Sequence, residues 1–554
     1  MLIKFSLILA FLGLFGGQLW AGVPSYEKLK VAPKGLVKDY YIYRFANEGK
    51  ASKAQLSKLR GQIFRYQGTI KTLFDKKIGP LKEKVADCSK YDFSNIHTAN
   101  WTCQNMVISA GFINSLTPSQ RGDLIKRLKA SGSKFASYIQ GFNTANPLAY
   151  YIAVGDPVGY FRHYGAAKDK EEFLKTHTPN LNLITNSLNH WQFKNIIQDS
   201  VINKKNAEFR KILLGANAEL LSGDMAFIFG LNAILLHNEI KAVEFFKVAA
   251  KKSKFASNKD NANFWIYLIT KDKKLLEEIA KSADINIYSL YAREFTSGQK
   301  IKIAVPRPAT KELLKYDYTD PFAWQRTREK VAKMPSSELI SYASRFYTQS
   351  TLGEYSYIME RAHNHKIHFY PMPFMEHIGT DDIRRQALIL ALARQESRFV
   401  PSAISTSYAL GMMQFMPFLA RDIAARLGMS KFDIDEMFKP QVAYKFANFH
   451  LDYLEKYLYS PLFIAYAYNG GIGFTKRMLL RGDLFERRGE YSKFEPFLSM
   501  DLVPYAESRV YGKKVLANYI IYLAALGKST KISHFFDNTL IPELSDEFRP
   551  KVSF

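Results

Sequence analysis

The chain has 554 residues and a formal charge of +26, with 77 Lys and Arg against 51 Asp and Glu. At 47% hydrophobic and 23% charged residues it is no disordered polyelectrolyte, and 31 Gly with 21 Pro exclude collagen-like or low-complexity chains. The length implies about three to four domains, and the basic, aromatic-rich composition (41 Phe, 33 Tyr) points to an anionic polymer partner. Nucleic acid, a membrane surface and a charged glycan all satisfy that description.

The N-terminus narrows the choice. One positive side chain, Lys4, precedes the apolar run Phe5 to Phe15, and Ala21 offers a small residue at a cleavage point. This is the layout of a secretory signal peptide over residues 1–21. The run is too short for a spanning helix, and no later stretch reaches the roughly 18 apolar residues that crossing requires. An exported protein does not meet the chromosome, so nucleic acid drops out and a periplasmic location is expected. Only two cysteines exist, Cys88 and Cys103. In an oxidising compartment they are expected to pair, the alternative being two buried thiols.

From about Tyr26 to Ser297 apolar residues recur at three and four spacing, which predicts helices throughout. Ala216 to Gly230 reads as one helix carrying Leu220, Leu221 and Phe227. Glu239 to Lys251 reads as its partner, with Ala242, Phe245, Phe246 and Ala249 on one face. Such pairs suggest a degenerate helical-hairpin superhelix over 22–300, with an ordinary helix bundle as the alternative. Pro306, Pro308 and Pro321 break the rhythm and open a connector over 301–375, which Pro371 and Pro373 close. His363, His365, His368 and His377 fall on this connector. No Cys or carboxylate pattern completes them, so they read as solvated polar residues and no metal is expected.

The chemistry lies in 376–554. Arg384 to Glu396 is a strong helix with Leu388, Ala391 and Leu392 facing inward. A carboxyl at its C-terminal end, near backbone carbonyls and aliphatic side chains, should have a raised pKa, as a general acid requires. Gly411-Met412-Met413-Gln414-Phe415-Met416-Pro417 follows, setting an amide beside three Met. Ala465 to Gly471 ends an aromatic helix in Tyr468-Asn469-Gly470-Gly471, and Glu507-Ser508-Arg509-Val510-Tyr511 opens another helix. Singly each block has a bland reading: a surface Glu, an apolar helix start, a C-cap, a solvated first-turn Glu.

In this order, the four blocks resemble the soluble lytic transglycosylases of family 1. The resemblance implies an α-superhelical domain (22–300), a linker (301–375) and a lysozyme-like catalytic domain (376–554), in a mainly α protein. Residue by residue, it implies Glu396 as the catalytic acid and then base, and Tyr468 as the residue that contacts and positions it. Ser405, Gln414, Met416, Asn469 and Glu507 are implied to bind substrate. Met412 stands where Leu is usual, Tyr408 and Leu410 replace small or polar residues, and Gly471 occupies a variable small-residue position. The resemblance implies cleavage of peptidoglycan glycan strands between N-acetylmuramic acid and N-acetylglucosamine with closure of a 1,6-anhydro ring, and no cofactor. Two other readings stay open: a hydrolytic muramidase using Glu507 as a second carboxylate, and an inactive periplasmic glycan-binding or scaffold protein. Protein partners are not legible.

Overall fold

The computed structural model describes residues 22–49, 51–81, 87–297, 301–313 and 315–551. The expected signal peptide therefore lies outside the described residues. Among them the chain is mostly α-helical. Its one β ladder is a two-residue parallel pairing of Ile303–Ala304 with His368–Phe369. No described helix is long and apolar enough to cross a membrane.

Contacts divide the chain into two units. One holds Lys82–Ile279 with the short insertion Phe497–Pro504; the other holds the described parts of Met1–Leu81, Ala280–Pro496 and Tyr505–Phe554. The segment 22–81, read from sequence as the start of the superhelix, thus clusters with the C-terminal half of the chain.

In the first unit, successive helices pair as hairpins: Pro118–Ala130 with Phe135–Gly141, Pro147–Val154 with Pro157–Ala166, and Gly223–Ile234 with Glu239–Lys252. Ala242, Phe245, Phe246 and Ala249 are buried, as their spacing predicts. The helix expected from Ala216 does not form as one piece. Ser222 caps a helix starting at Gly223, its hydroxyl accepting from the Met225 amide. This leaves Ala218–Leu220 as a separate 3-10 turn, with Leu220 56% exposed. A hydroxyl that satisfies an N-terminal amide outweighs continuity of an apolar pattern. Cys88 and Cys103 are disulfide-bonded, with Cα atoms 5.3 Å apart.

The second unit contains the connector helices Pro321–Lys333, Ser336–Ser344 and Leu352–Ala362, and the helices of the lysozyme-like part. Helix Leu36–Glu48 packs on that part. Tyr40 donates to Asp435 (2.8 Å), and Arg44 pairs with Asp433 and Asp435 at 3.1 and 2.9 Å. Tyr408, the bulky departure from family pattern, is buried here, its ring 5.1 Å from Tyr43 and 5.9 Å from Tyr40. Its extra volume fills an N-terminal helix contact. The connector histidines also find local uses: His368 Nε2 lies 2.8 Å from the Ala283 carbonyl oxygen, and His363 stacks on Phe369.

Candidate active site

Helix Ile383–Ser397 buries Ala387 to Ala393 as a continuous apolar face. It ends where Arg398 turns left-handed at φ 56°, short of Pro401. The end is anchored from the connector. Glu360, 3% exposed, accepts from Arg394 and Arg398, each at 2.8 Å. Burial opposes the Glu360 charge, but the two guanidiniums outweigh it and hold the carboxyl below its usual range. Arg394 also donates to Asn518 of helix Ala506–Ala525 (3.1 Å). Both neighbours of the acid along the helix end are thus clamped.

Glu396 itself is partly exposed, open to a ligand yet shielded by its surroundings. Burial pushes its pKa to about 7; the Tyr511 hydrogen bond works against the shift and the Glu507 charge adds to it. The carboxyl is therefore poised between its acid and base forms near neutral pH, as proton donation followed by proton removal demands.

The Tyr511 hydroxyl donates to Glu396 Oε1 at 2.6 Å. Tyr468 is placed differently from the sequence expectation. Its hydroxyl donates to the Met413 carbonyl oxygen at 2.9 Å, tying its helix Pro461–Gly470 to the Met-rich loop, while the Glu396 charge still helps keep the phenol protonated. Tyr511 is likewise kept protonated, by burial first and then by Glu396. Two phenols thus flank one carboxyl, and the one that hydrogen-bonds it is Tyr511. That residue stands in the fourth sequence block, but nothing in its local pattern marks it. It faces Glu396 because Gly512 lets two helices close up: a Cβ there would sit 2.2 Å from the Tyr466 ring. We expect Tyr511→Phe to raise the Glu396 pKa by about one unit, since a donor to a carboxylate favours its charged form. The alkaline limb of a pH–rate profile should move up by that amount; an unmoved limb would deny the bond its role.

The loop opposite the acid is built on Gly411. Its φ is +77°, and a Cβ would lie 2.1 Å from the Met437 carbonyl oxygen, so both conformation and space require glycine. Gln414, also left-handed at φ 52°, donates through its amide to Ala403 O (3.1 Å) and Gly411 O (2.7 Å). Its amide nitrogen holds the loop together, which leaves the side-chain oxygen as the atom to offer a ligand. The Ser405 hydroxyl accepts from the Ala409 amide (2.9 Å) and the Ser407 amide (3.2 Å), closing the preceding turn. Ser397, beside the acid, donates to Met412 O at 2.8 Å. Met416 is half-buried at the head of helix Pro417–Arg426.

On the other wall Asn469 donates to Glu507 (3.2 Å) and accepts from Ser508 (2.7 Å). Glu507 is exposed in the first turn of its helix, close enough to act on Glu396. Among the sequence-expected residues, Tyr468, Asn469 and Glu507 are thus joined to the acid or to one another by hydrogen bonds or charge, while Gln414 bonds only to its own loop. Ser405 and Met416 lie on the same loop, two residues beyond Gln414 in the case of Met416.

The family model for the Transglycosylase SLT domain matches residues 379–483. The chain carries a transglycosylase SLT domain. That match supports reading the domain as an enzyme acting on peptidoglycan, in line with what its motifs imply. Glu396, the Gly411 loop and Tyr468 fall inside the SLT match; Glu507 and Tyr511 lie beyond it. Among solved structures, the chain is similar to lytic transglycosylase Slt from Pseudomonas aeruginosa, at 14% identity and a TM-score of 0.50, over 89% of this chain and 82% of that one. That likeness is one of fold, and extends well outside the SLT domain. It is also matched to the 70-kDa soluble lytic transglycosylase from Escherichia coli, at 15% identity and a TM-score of 0.36, over 92% and 89% of the two chains. No curated protein matches the chain.

Proposed function

We propose that the chain cleaves the β-1,4 bond between N-acetylmuramic acid and N-acetylglucosamine without water, releasing 1,6-anhydromuropeptides in the periplasm. The observation that carries this reading is the environment of Glu396: one shielded carboxyl with a pKa near 7, held at its helix end by a phenol donor. Glu396 gives its proton to the glycosidic oxygen as the bond to the muramoyl C1 breaks. The substrate's own N-acetyl carbonyl stabilises the developing positive charge. Glu396, now a carboxylate, takes the proton from the muramoyl C6 hydroxyl, whose oxygen closes on C1. The proton returns to Glu396, so atoms and charge balance with a single protein acid. Intramolecular attack replaces the second carboxylate of ordinary glycosidases, gaining the advantage of a tethered nucleophile.

The Tyr511 hydroxyl stabilises the carboxylate half of this cycle. Gln414, Asn469 and Glu507 present polar atoms for hydroxyl and N-acetyl groups, and the basic surface draws in a substrate whose peptide stems carry carboxylates. A hydrolytic muramidase is the second reading, favoured by the charge of Glu507 acting on Glu396. Mass spectrometry of muropeptides released from isolated sacculi separates the two. Products one water lighter than those of a muramidase, lost in Glu396→Gln and only diminished in Glu507→Gln, are expected. Hydrated products abolished by Glu507→Gln would move the chain to the muramidase reading, and no release at all would leave a glycan-binding protein.

A further inference from the structure

Helix Pro440–Leu454 has two unlike flanks. On one, Asn448, Asp452 and Glu455 engage Arg385, the two carboxylates at 2.9 and 2.6 Å. On the other, His450 and Tyr453, with Tyr457 in the turn that follows the helix, are spaced three and four apart and carry rings that no polar group among the described residues claims. They form a connected row. The His450 ring lies 5.6 Å from Tyr468 and 6.0 Å from Phe415, Tyr453 lies 6.4 Å from His450, and Tyr457 lies 5.8 Å from Tyr453. Phe548, from the C-terminal segment, continues it at 5.7 Å from Tyr457, nearly parallel at 11°. The exposed Lys476 ammonium sits 5.4 Å over the Phe548 ring.

The row changes character along its length. Tyr468 is inside the site, and burial drives the His450 pKa down to about 4, so its ring is neutral at physiological pH. Tyr453 and Tyr457 are 42% and 37% exposed. A helix and its following turn that present two large rings to water, with charges paired on the opposite flank, retain apolar surface for something to cover. Phe415, between Gln414 and Met416, touches both Tyr468 and His450, so the row is continuous with the wall of the catalytic groove.

We propose that Tyr453, Tyr457 and Phe548 form an outer glycan-binding surface that holds the strand beyond the reacting disaccharide, with Lys476 meeting a carboxylate of the substrate. The inference rests on the reading that the substrate is a peptidoglycan strand. The C–H faces of N-acetylated sugars stack on aromatic rings, while flanking hydroxyls remain in water, so half-exposed tyrosines suit them. The cation at the end of the row suits a strand bearing lactyl or peptide carboxylates. A protein partner on the same patch is an outcome of the test.

The double variant Tyr453→Ala/Tyr457→Ala in the full chain should leave turnover of a tetrasaccharide, peptide-free N-acetylglucosamine–N-acetylmuramic acid substrate within two-fold of wild type. On an octasaccharide of the same repeat its KM should rise about 10-fold with kcat unchanged, the size two lost stacking contacts predict. Tyr453→Phe/Tyr457→Phe, which keeps the rings, should restore the octasaccharide KM. An unchanged octasaccharide KM, as a protein-docking patch would give, or an equal loss on both lengths, would overturn the proposal. Binding of the octasaccharide to Glu396→Gln, with and without the two Ala changes, reads the surface independently of product chemistry. A hydrated product from wild type would then overturn the function proposed above and leave this one standing.

Discussion

Glu396→Gln should lower the rate of muropeptide release by about 10³-fold or more, because it removes the single proton donor and acceptor of the proposed reaction. The same change should make the protein more stable above neutral pH. Burial raises the Glu396 pKa from its ordinary range to about 7, so the fold disfavours the charged form. Stability is therefore complete below the ordinary carboxyl range and is lost as pH rises through about 7. An amide of the same shape still accepts from Tyr511 and carries no such cost. Discounting for the partial exposure of the carboxyl, the gain at pH 8 is about 1–3 kcal/mol; it should shrink several-fold by about pH 5 and vanish only below the ordinary carboxyl range. Thermal unfolding of both proteins at the two pH values checks this. An equal difference at each would mean that the acid is not shielded. In wild type the same titration should make activity fall above about pH 7, as the donor loses its proton.

Glu360→Gln is expected to cost about 3–5 kcal/mol without touching substrate. Arg394 is 13% exposed, and its guanidinium depends on the Glu360 carboxylate, itself 3% exposed. Removing the charge leaves a buried cation uncompensated, which is costlier than the net worth of the pair. The pH dependence has the opposite sign to that of Glu396. The folded Glu360 pKa is depressed, so its contribution is present above the ordinary carboxyl range and lost as pH falls through the lower folded value. Urea unfolding at pH 7 and pH 3 should show a large gap between variant and wild type at the first and a smaller one at the second. A gap of the same size at both would mean that the charge is not what anchors the helix. Because Arg394 and Arg398 bracket Glu396, residual activity of the folded variant should fall as well.

Much of this protein was legible one element at a time. The helix carrying Glu396, the turn that needs Gly411, the aromatic helix ending at Gly471 and the first-turn Glu507 each have local causes: apolar spacing, a positive φ, a C-terminal break, a helix start. The apolar pattern misled once, at Ala216 to Gly230, because a single capping hydroxyl at Ser222 interrupts the helix without altering its hydrophobic spacing. Tyr408 misdirects in another way. Beside the Gly411 loop it stands out only as a bulky departure from the family pattern, yet its ring is buried against a helix more than 360 residues earlier in the chain.

The sequence by itself determined the mainly helical class and the positions of Glu396 and the blocks around it, since each depends on spacing within a few turns. Only the tertiary structure decided which tyrosine serves the acid. Tyr468 and Tyr511 are both near Glu396, but hydrogen bonding is directional over a few tenths of an ångström. Which phenol donates depends on how closely helices Pro461–Gly470 and Ala506–Ala525 approach across Gly512. The Glu360 clamp and the aromatic row are decided the same way. Their members come from separate elements, and a contact between residues far apart in sequence leaves no periodicity to read.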